Sequence, residues 1–156
     1  MQKIFAFHQQ NATAKEKNPY SDAVQIKPLI EKLQSINAIQ CSEHELKVFM
    51  REVNGKVILD AGCGPGVHLG IFKKNKFREI GIDSSKLMVE EVRKNGYKAE
   101  RVRLQRLDFK DNTFNGIWCN AALHHLDQND VMAVLRQFKR VLKLNGLLFC
   151  INEISL

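Results

Sequence analysis

Residues 57–66 constrain the fold of this chain more than any other stretch. They read Val-Ile-Leu-Asp-Ala-Gly-Cys-Gly-Pro-Gly, an apolar run that ends in an acid and continues into alternating glycines. A short apolar run bounded by turn residues predicts a strand that is buried on both faces, as in the centre of a parallel sheet. The glycines predict a tight turn from strand to helix, where a ligand can approach a backbone that has no Cβ atoms.

Strands and helices alternate along the rest of the chain. Further strands are predicted at residues 79–83, within 100–104, at 114–119 and at 147–151. Helices are predicted from the capping box of Ser42 and Glu45, over 67–74, from Ser84 or Ser85 to Asn95-Gly96, and from Asp127 to Asn145-Gly146. Five strands alternating with helices predict a doubly wound, Rossmann-like α/β fold, which is a three-layer sandwich around a mostly parallel sheet.

The amino-terminal segment differs from the rest of the chain. Residues 1–20 are polar and show no sustained period, so they are expected to form an arm or lid. Residues 21–156 are expected to form a single domain, with Pro28 opening a further helix at its first turn. A length of 156 residues and an apolar content of 44% fit one globular domain.

Composition excludes several classes of protein. No apolar run approaches the roughly 18 residues of a membrane span. The four cysteines lack a CxxC pair, which argues against a structural metal site and for reduced thiols in a cytoplasmic protein. The net charge of +7 is interpreted as solvated surface, because no nucleic-acid-binding motif accompanies it. We therefore expect no metal, no membrane contact and no nucleic acid as partner.

Two acids stand at the ends of neighbouring predicted strands. Asp60 precedes the glycines, and Asp83 ends the next strand, where an acid can accept hydrogen bonds from ribose hydroxyls. The helix that begins near Gly66 offers unpaired backbone N–H groups to an anion. These features fit a dinucleotide or another adenosine cofactor. The dinucleotide fingerprint, however, requires glycine where this chain has Val67.

Three further segments follow the glycine turn in a characteristic order. They are Ile-Asp-Ser-Ser at 82–85, Phe-Lys-Asp-Asn-Thr-Phe-Asn-Gly-Ile-Trp at 109–118, and Phe-Lys-Arg-Val-Leu-Lys-Leu-Asn-Gly at 138–146. Together with residues 57–66, these segments resemble the class I S-adenosylmethionine-dependent methyltransferases over residues 55–151. The resemblance implies S-adenosylmethionine as cofactor and direct transfer of its methyl group to an acceptor.

The resemblance also implies which residues bind the cofactor. Asp60 would lie near its ammonium group, and Asp83 would accept hydrogen bonds from both ribose hydroxyls. The glycines would carry the methionyl part on their backbone, and the residues that end the fourth strand would face it. Ser84 and the backbone of Leu104 would lie beside the adenine. The implied set is Asp60, Gly62, Cys63, Gly64, Asp83, Ser84, Leu104, Cys119 and Asn120.

The chain departs from the family pattern in two respects. The family usually has an acid near position 103 that binds the adenine amino group, whereas this chain has Arg103, which cannot accept a hydrogen bond. The nearest acid, Asp108, is expected in the following loop and is not assigned that role. The sequence also ends at Leu156, without the family's C-terminal hairpin. The fifth strand would then be an exposed edge, where we expect a homodimer or a partner subunit; the alternative is a truncated domain of limited stability.

No catalytic residue is identified from the sequence. His124 and His125 are expected to be the only histidines near the pocket, and His125 is the candidate general base. The Asn/Asp-Pro-Pro-aromatic signature of enzymes that methylate exocyclic or amide nitrogens is absent, so a small-molecule acceptor is expected. Two alternatives stay open. One is a methyltransferase-like partner module with weak or no catalysis, and the other is an NAD-dependent oxidoreductase, which Val67 disfavours.

Overall fold

The computed structural model describes residues 3–10, 43–123 and 126–154, with 3–10 and 151–154 described by their backbone alone. Six strands and four helices lie in these residues. The strands are β1 (Lys3–Gln10), β2 (Val57–Ala61), β3 (Arg78–Asp83), β4 (Ala99–Arg101), β5 (Phe114–Asn120) and β6 (Leu142–Ile154). The helices are α1 (Glu43–Glu52), α2 (Leu69–Lys74), α3 (Lys86–Lys94) and α4 (Gln128–Val141). The helix expected after Pro28 lies outside the described residues.

The six strands form one parallel sheet, which confirms the predicted doubly wound, Rossmann-like fold. Their order is β1-β6-β5-β2-β3-β4. The chain winds outward from β2 through β3 to β4 and then returns to the other side of β2 with β5 and β6. Ligands of open α/β sheets bind at the carboxyl ends of the strands, where the winding reverses. In this chain that position lies between β2 and β5, beside the glycine turn.

Apolar side chains pack against both faces of the sheet. On one face, Ile58 and Trp118 pack with Phe49 of α1 and Phe72 of α2. On the other face, the neighbouring residue Leu59 packs in a cluster that includes residues of α4. Because successive side chains of a strand point to opposite faces, an almost wholly apolar strand fits only between two helical layers. None of the described helices is long and apolar enough to cross a membrane.

Side-chain caps begin two of the helices. Oδ1 of Asp127 accepts a hydrogen bond of 2.8 Å from the backbone N–H of Asp130, as predicted. Of the two candidate serines, Ser85 is the cap of α3, and its hydroxyl accepts from the N–H of Met88. The predicted end of the last helix at Asn145-Gly146 is wrong. Helix α4 ends at Val141 because the next residue, Leu142, is already buried and paired with Phe114 of β5.

The amino-terminal strand corrects two expectations. Residues 3–10, which were expected to belong to an arm or lid, form β1 and pair in parallel with β6 from Lys3↔Leu147 to Gln10↔Ile154. The edge that was expected to bind a second copy or a partner subunit is therefore occupied by this chain's own β1. The apolar run at residues 4–7 is too short to show that pairing locally. Residues 11–42 lie outside the described part of the chain.

Candidate functional site

A cavity of about 1030 Å³ lies at the carboxyl ends of β2, β3, β4 and β5. It brings together residues that are distant in the sequence, because parallel strands end at the same edge of the sheet. Of the residues implied by the family resemblance, those that line it are Asp60, Gly62, Cys63, Gly64, Asp83, Ser84, Leu104 and Asn120. The structure therefore places the implied set, except Cys119, around one space.

The glycine turn presents bare backbone to this cavity. Gly62 and Gly64 have φ angles of 75° and 51°, a region that favours glycine. A Cβ atom on Gly62 would lie 2.4 Å from Cβ of Ala122, whereas one on Gly64 would meet no atom within 4 Å. Since Gly64 also lines the cavity, a side chain there would take space from a ligand. The N–H groups of Gly62 and Cys63 donate to the carbonyl of Ile82, at 2.8 and 2.9 Å, and so attach the turn to β3.

Asp83 holds two backbone segments at the end of β3. Its Oδ2 accepts from the N–H of Gly64 at 3.0 Å, and its Oδ1 accepts from the N–H of Ser85 at 2.8 Å. Burial raises the pKa of Asp83, against the opposing effect of the hydrogen bonds from Ser85, Gly64 and Ser84. Each carboxylate oxygen keeps a second lone pair. Asp83 can therefore accept two further hydrogen bonds from a ligand such as a vicinal diol.

Asp60 is a buried acid that lacks a partner. Its side chain is 1% exposed, and Oδ2 has no hydrogen-bond partner. Burial, with a smaller contribution from the charge of Asp83, raises the pKa of Asp60 to about 8. The carboxyl group is then protonated at neutral pH as long as no cation lies beside it. A ligand cation in the cavity would stabilise the ionised form and remove the cost of the unpaired oxygen.

This raised pKa makes the stability of the protein depend on pH. The folded-state pKa of Asp60, about 8, lies above the ordinary value of 3.8, so the stability associated with this proton falls as pH rises between those values. Asp60→Asn lacks this proton. We expect its free energy of unfolding minus that of the wild type to increase by about 1 kcal/mol per pH unit between about pH 5 and 8. Urea unfolding of both proteins measures the difference. A difference that stays constant over this range would contradict the raised pKa.

His68 lies in the cavity wall, although the sequence predicted only His124 and His125 near the pocket. Those two residues lie outside the described part of the chain, so the candidate base His125 stays a prediction. His68 lines the cavity, is 9% exposed, and its Nε2 has no hydrogen-bond partner. Burial lowers the pKa of His68 to about 4, so its imidazole is neutral at pH 7. Its position two residues after Gly66, at the start of α2, is the signal that could have indicated it.

Cys119 does not line the cavity, contrary to the role implied by the resemblance. It is fully buried in β5 and pairs in register with Cys150 of β6. The hydrogen bond between the two thiols, together with burial, raises the pKa of Cys119. The side chain of Cys119 is therefore part of the core cluster that includes Cys150 and residues of α4, whereas the next residue, Asn120, lines the cavity.

The rim beside β4 contains cations that the family pattern did not lead us to expect. Lys86, Arg101 and Arg103 line the cavity together with Gln105, whereas Asp108 does not. Nε of Arg101 donates to the carbonyl of Ser84 at 3.1 Å. On the opposite side, Ala121 has a φ angle of 52°, an uncommon conformation for a residue with a Cβ atom and one that often marks a functional site.

The residues of the cavity fit an adenosine cofactor that carries a cation. The unpaired Oδ2 of Asp60 would bind the cation, and the remaining lone pairs of Asp83 would bind a ribose diol. The two acids lie at the carboxyl ends of adjacent strands, which are about 4.8 Å apart in a sheet, and Asp83 is two residues beyond the partner of Asp60. No group of histidine, cysteine or acidic residues within the described ranges could hold a metal ion. The donor set therefore fits S-adenosylmethionine.

Comparisons with known proteins agree with this chemistry. Residues 59–150 match the family model described as "Methyltransferase domain". A curated relative, the tRNA U34 carboxymethyltransferase of Campylobacter lari, is 29% identical over 67% of this chain and 38% of its own length. The chain thus spans well under two thirds of that relative.

Solved structures show the same likeness. An S-adenosylmethionine-dependent methyltransferase from Aquifex aeolicus matches with a TM-score of 0.61 and 28% identity, over 74% of this chain and 66% of that one. Another such enzyme, from Archaeoglobus fulgidus, matches with a TM-score of 0.66 and 18% identity, over 81% of this chain and 57% of that one. At that lower identity the likeness concerns the fold alone.

Proposed function

Since the chain belongs to the class I S-adenosylmethionine-dependent methyltransferase family, we propose that it binds S-adenosylmethionine in the described cavity and transfers the methyl group to a small-molecule acceptor. The proposal rests on two acids at the carboxyl ends of adjacent strands, of which Asp60 is buried and Asp83 is half-buried. Asp60 has an unpaired oxygen, and Asp83 has lone pairs left for a diol. A nicotinamide dinucleotide would supply the diol but no ammonium group for Asp60.

The protein contributes to this reaction by orienting the cofactor and the acceptor and by excluding water from the cavity. The cofactor, when bound, supplies a methyl group that its sulfonium already activates. Asp60 would hold the ammonium group, Asp83 the ribose hydroxyls, and Ser84 and Leu104 would lie beside the adenine. The bare backbone of the glycine turn lets the methionyl chain lie close to the sheet. A general base is needed only for an acceptor that arrives protonated.

Two observations bear on the acceptor. The cavity of about 1030 Å³ is at the upper end of the roughly 300–1,000 Å³ typical of small-ligand pockets, which leaves room for a small acceptor beside the cofactor. The loop after β5 reads Asn-Ala-Ala-Leu and lacks the Pro-Pro-aromatic signature. A structured RNA is a second candidate acceptor, favoured by the name of the Campylobacter relative and by the cations at the rim. Incubation of a cell extract with the protein and methyl-labelled S-adenosylmethionine distinguishes the two acceptors. Ribonuclease would release the label from the methylated product only if the acceptor is RNA.

Calorimetric titration of the full chain with S-adenosylhomocysteine and, separately, with NADH tests the cofactor assignment. We expect saturable one-to-one binding of S-adenosylhomocysteine and no binding of NADH. Because Arg103 stands where the family usually has an acid, one hydrogen bond to the adenine is lost. We therefore expect an affinity roughly one to two decades lower than that of a family member with the acid. Binding of neither ligand would support the alternative of a partner module, and binding of NADH would overturn the proposal.

The cysteines support a cytoplasmic location for this protein. Cys63, Cys119 and Cys150 are buried free thiols. Burial, with the charges of Asp60 and Asp83, raises the pKa of Cys63, so its thiol is unreactive in the free protein. Unpaired thiols of this kind are usual in proteins of reducing compartments.

A further inference from the structure

His68 is a buried polar residue of the cavity wall that the proposed function leaves without a role. It lies between the glycine turn and α2, and it lines the same space as Asp60. Its ring packs edge-on against Trp118, with centroids 5.4 Å apart and an interplanar angle of 63°. Its Nε2 is buried and unpaired. A buried polar atom without a partner is uncommon in native proteins and calls for an explanation.

We propose that Nε2 of His68 donates a hydrogen bond to the carboxylate of the cofactor's methionyl group, whose ammonium pairs with Asp60. This inference rests on the proposed function, and it assigns to His68 the recognition of the amino-acid end of the cofactor. An α-amino acid carries its ammonium and its carboxylate on the same carbon atom. A site that recognises it therefore needs an acid and a hydrogen-bond donor close together, and Asp60 and His68 flank the two ends of one short glycine turn.

The chemistry of a buried neutral imidazole suits this role. Neutral imidazole carries one N–H donor and needs no counter-ion while the site is empty of ligand. Burial lowers the pKa of His68, so the ring stays neutral and the wall of the cavity carries no unpaired positive charge. A carboxylate that accepts from Nε2 would satisfy the atom that the protein leaves unpaired. Packing against Trp118, which is itself fully buried, holds the ring in one orientation.

The cations of the cavity are less suitable for this carboxylate. Arg101 ends β4, two strands away from Asp60 of β2, which corresponds to about 10 Å across the sheet. Its Nε already donates to the carbonyl of Ser84. Lys86 pairs with Glu90 on the surface of α3 at 3.6 Å. Arg103, the third cation of the cavity, lies two residues after the end of β4. All three cations thus lie beside β4 or the start of α3, whereas His68 lies beside the glycine turn.

Two ligands that differ only at the amino-acid end test the inference. S-adenosylhomocysteine carries the amino acid, and 5′-methylthioadenosine lacks it. We expect His68→Phe, which keeps a ring against Trp118, to weaken binding of S-adenosylhomocysteine about tenfold and to change binding of methylthioadenosine less than about twofold. His68→Gln places an amide N–H near the position of Nε2 and is expected to restore most of the lost affinity. Calorimetry on the full chain measures each affinity, and a thermal melt shows that each variant folds.

The outcomes separate this inference from the proposed function. Equal weakening of both ligands in His68→Phe, or no change for either, would overturn the role of His68 while the cofactor assignment stands. Failure of the wild type to bind S-adenosylhomocysteine would overturn the proposed function and this inference together. Selective weakening that His68→Gln does not relieve would also contradict a hydrogen bond from Nε2, because it would mean that ring shape decides the affinity.

Discussion

Asp83→Asn is expected to lower the affinity for S-adenosylhomocysteine about 100-fold or more. The carboxylate is placed to accept two ribose hydroxyls, and hydrogen bonds to a charged group contribute roughly 1.5–3 kcal/mol each. Losing most of two such bonds amounts to about two decades in affinity. The amide also disturbs the turn, because one of the N–H groups of Gly64 and Ser85 would then face an NH₂ group instead of an oxygen. Calorimetric titration of the full chain measures the change.

Asp108→Asn is the matched control for this substitution. Asp108 is an exposed acid in the segment between β4 and β5, and it does not line the cavity. We expect its variant to bind S-adenosylhomocysteine with wild-type affinity, within about twofold. If Asp108→Asn weakened binding as much as Asp83→Asn, the ligand would lie elsewhere than the geometry of Asp83 indicates. A melt of each variant distinguishes a lost contact from a lost fold.

Trp118→Ala is expected to destabilise the fold by about 3–5 kcal/mol. Trp118 is fully buried and stacks on Phe149 with centroids 4.8 Å apart, and it also contacts Phe49 and Phe72. Its removal leaves a large cavity between β5, β6, α1 and α2, which these aromatic rings cannot fill without moving. Such a loss is a large part of the 5–15 kcal/mol that usually stabilises a domain. Urea unfolding gives the free energy, and the melting temperature should fall by roughly 10 °C.

Trp118→Phe provides the control, because it keeps an aromatic ring in the same cluster. We expect a loss of about 1–2 kcal/mol, since part of the volume and of the stacking on Phe149 remains. Trp118 Nε1 has no hydrogen-bond partner, so its removal carries no additional cost. Equal losses in both variants would contradict the assignment of the effect to the packed volume of the side chain.

Most of the fold could be predicted from the sequence because its signals are local. The apolar run before Asp60 and the glycines after it define a strand and a turn within ten residues. Asp127 likewise indicates the start of α4 through a side-chain cap that involves only its own first turn. The end of α4 could not be predicted in this way. It depends on the burial of Leu142 against β5, which Asn145-Gly146 three residues later does not reveal.

The cavity residues that belong to the family motifs were predicted correctly. Those whose position depends on side-chain packing were not. Asp60, Gly64 and Asp83 line the cavity as the resemblance implied. Cys119 does not, because its side chain is packed in the core and donates a hydrogen bond to Cys150 of the neighbouring strand. His68 lines the cavity because its ring packs against Trp118 just before α2 begins. Its place two residues after Gly66 indicates that it lies near the turn, but not that its side chain is buried.

The sequence by itself determined the order of strands and helices from α1 to β6, the glycine turn and the two acids beside it. Each of these follows from a few consecutive residues, whose backbone preferences and polarity act over one turn or one strand. Only the tertiary structure decided that β1 covers the edge of β6 and that His68 shares a cavity with Asp60. Pairing between parallel strands far apart in the chain depends on backbone hydrogen bonds, which do not require particular side chains. The sequence therefore contains no local signal that indicates which strands pair.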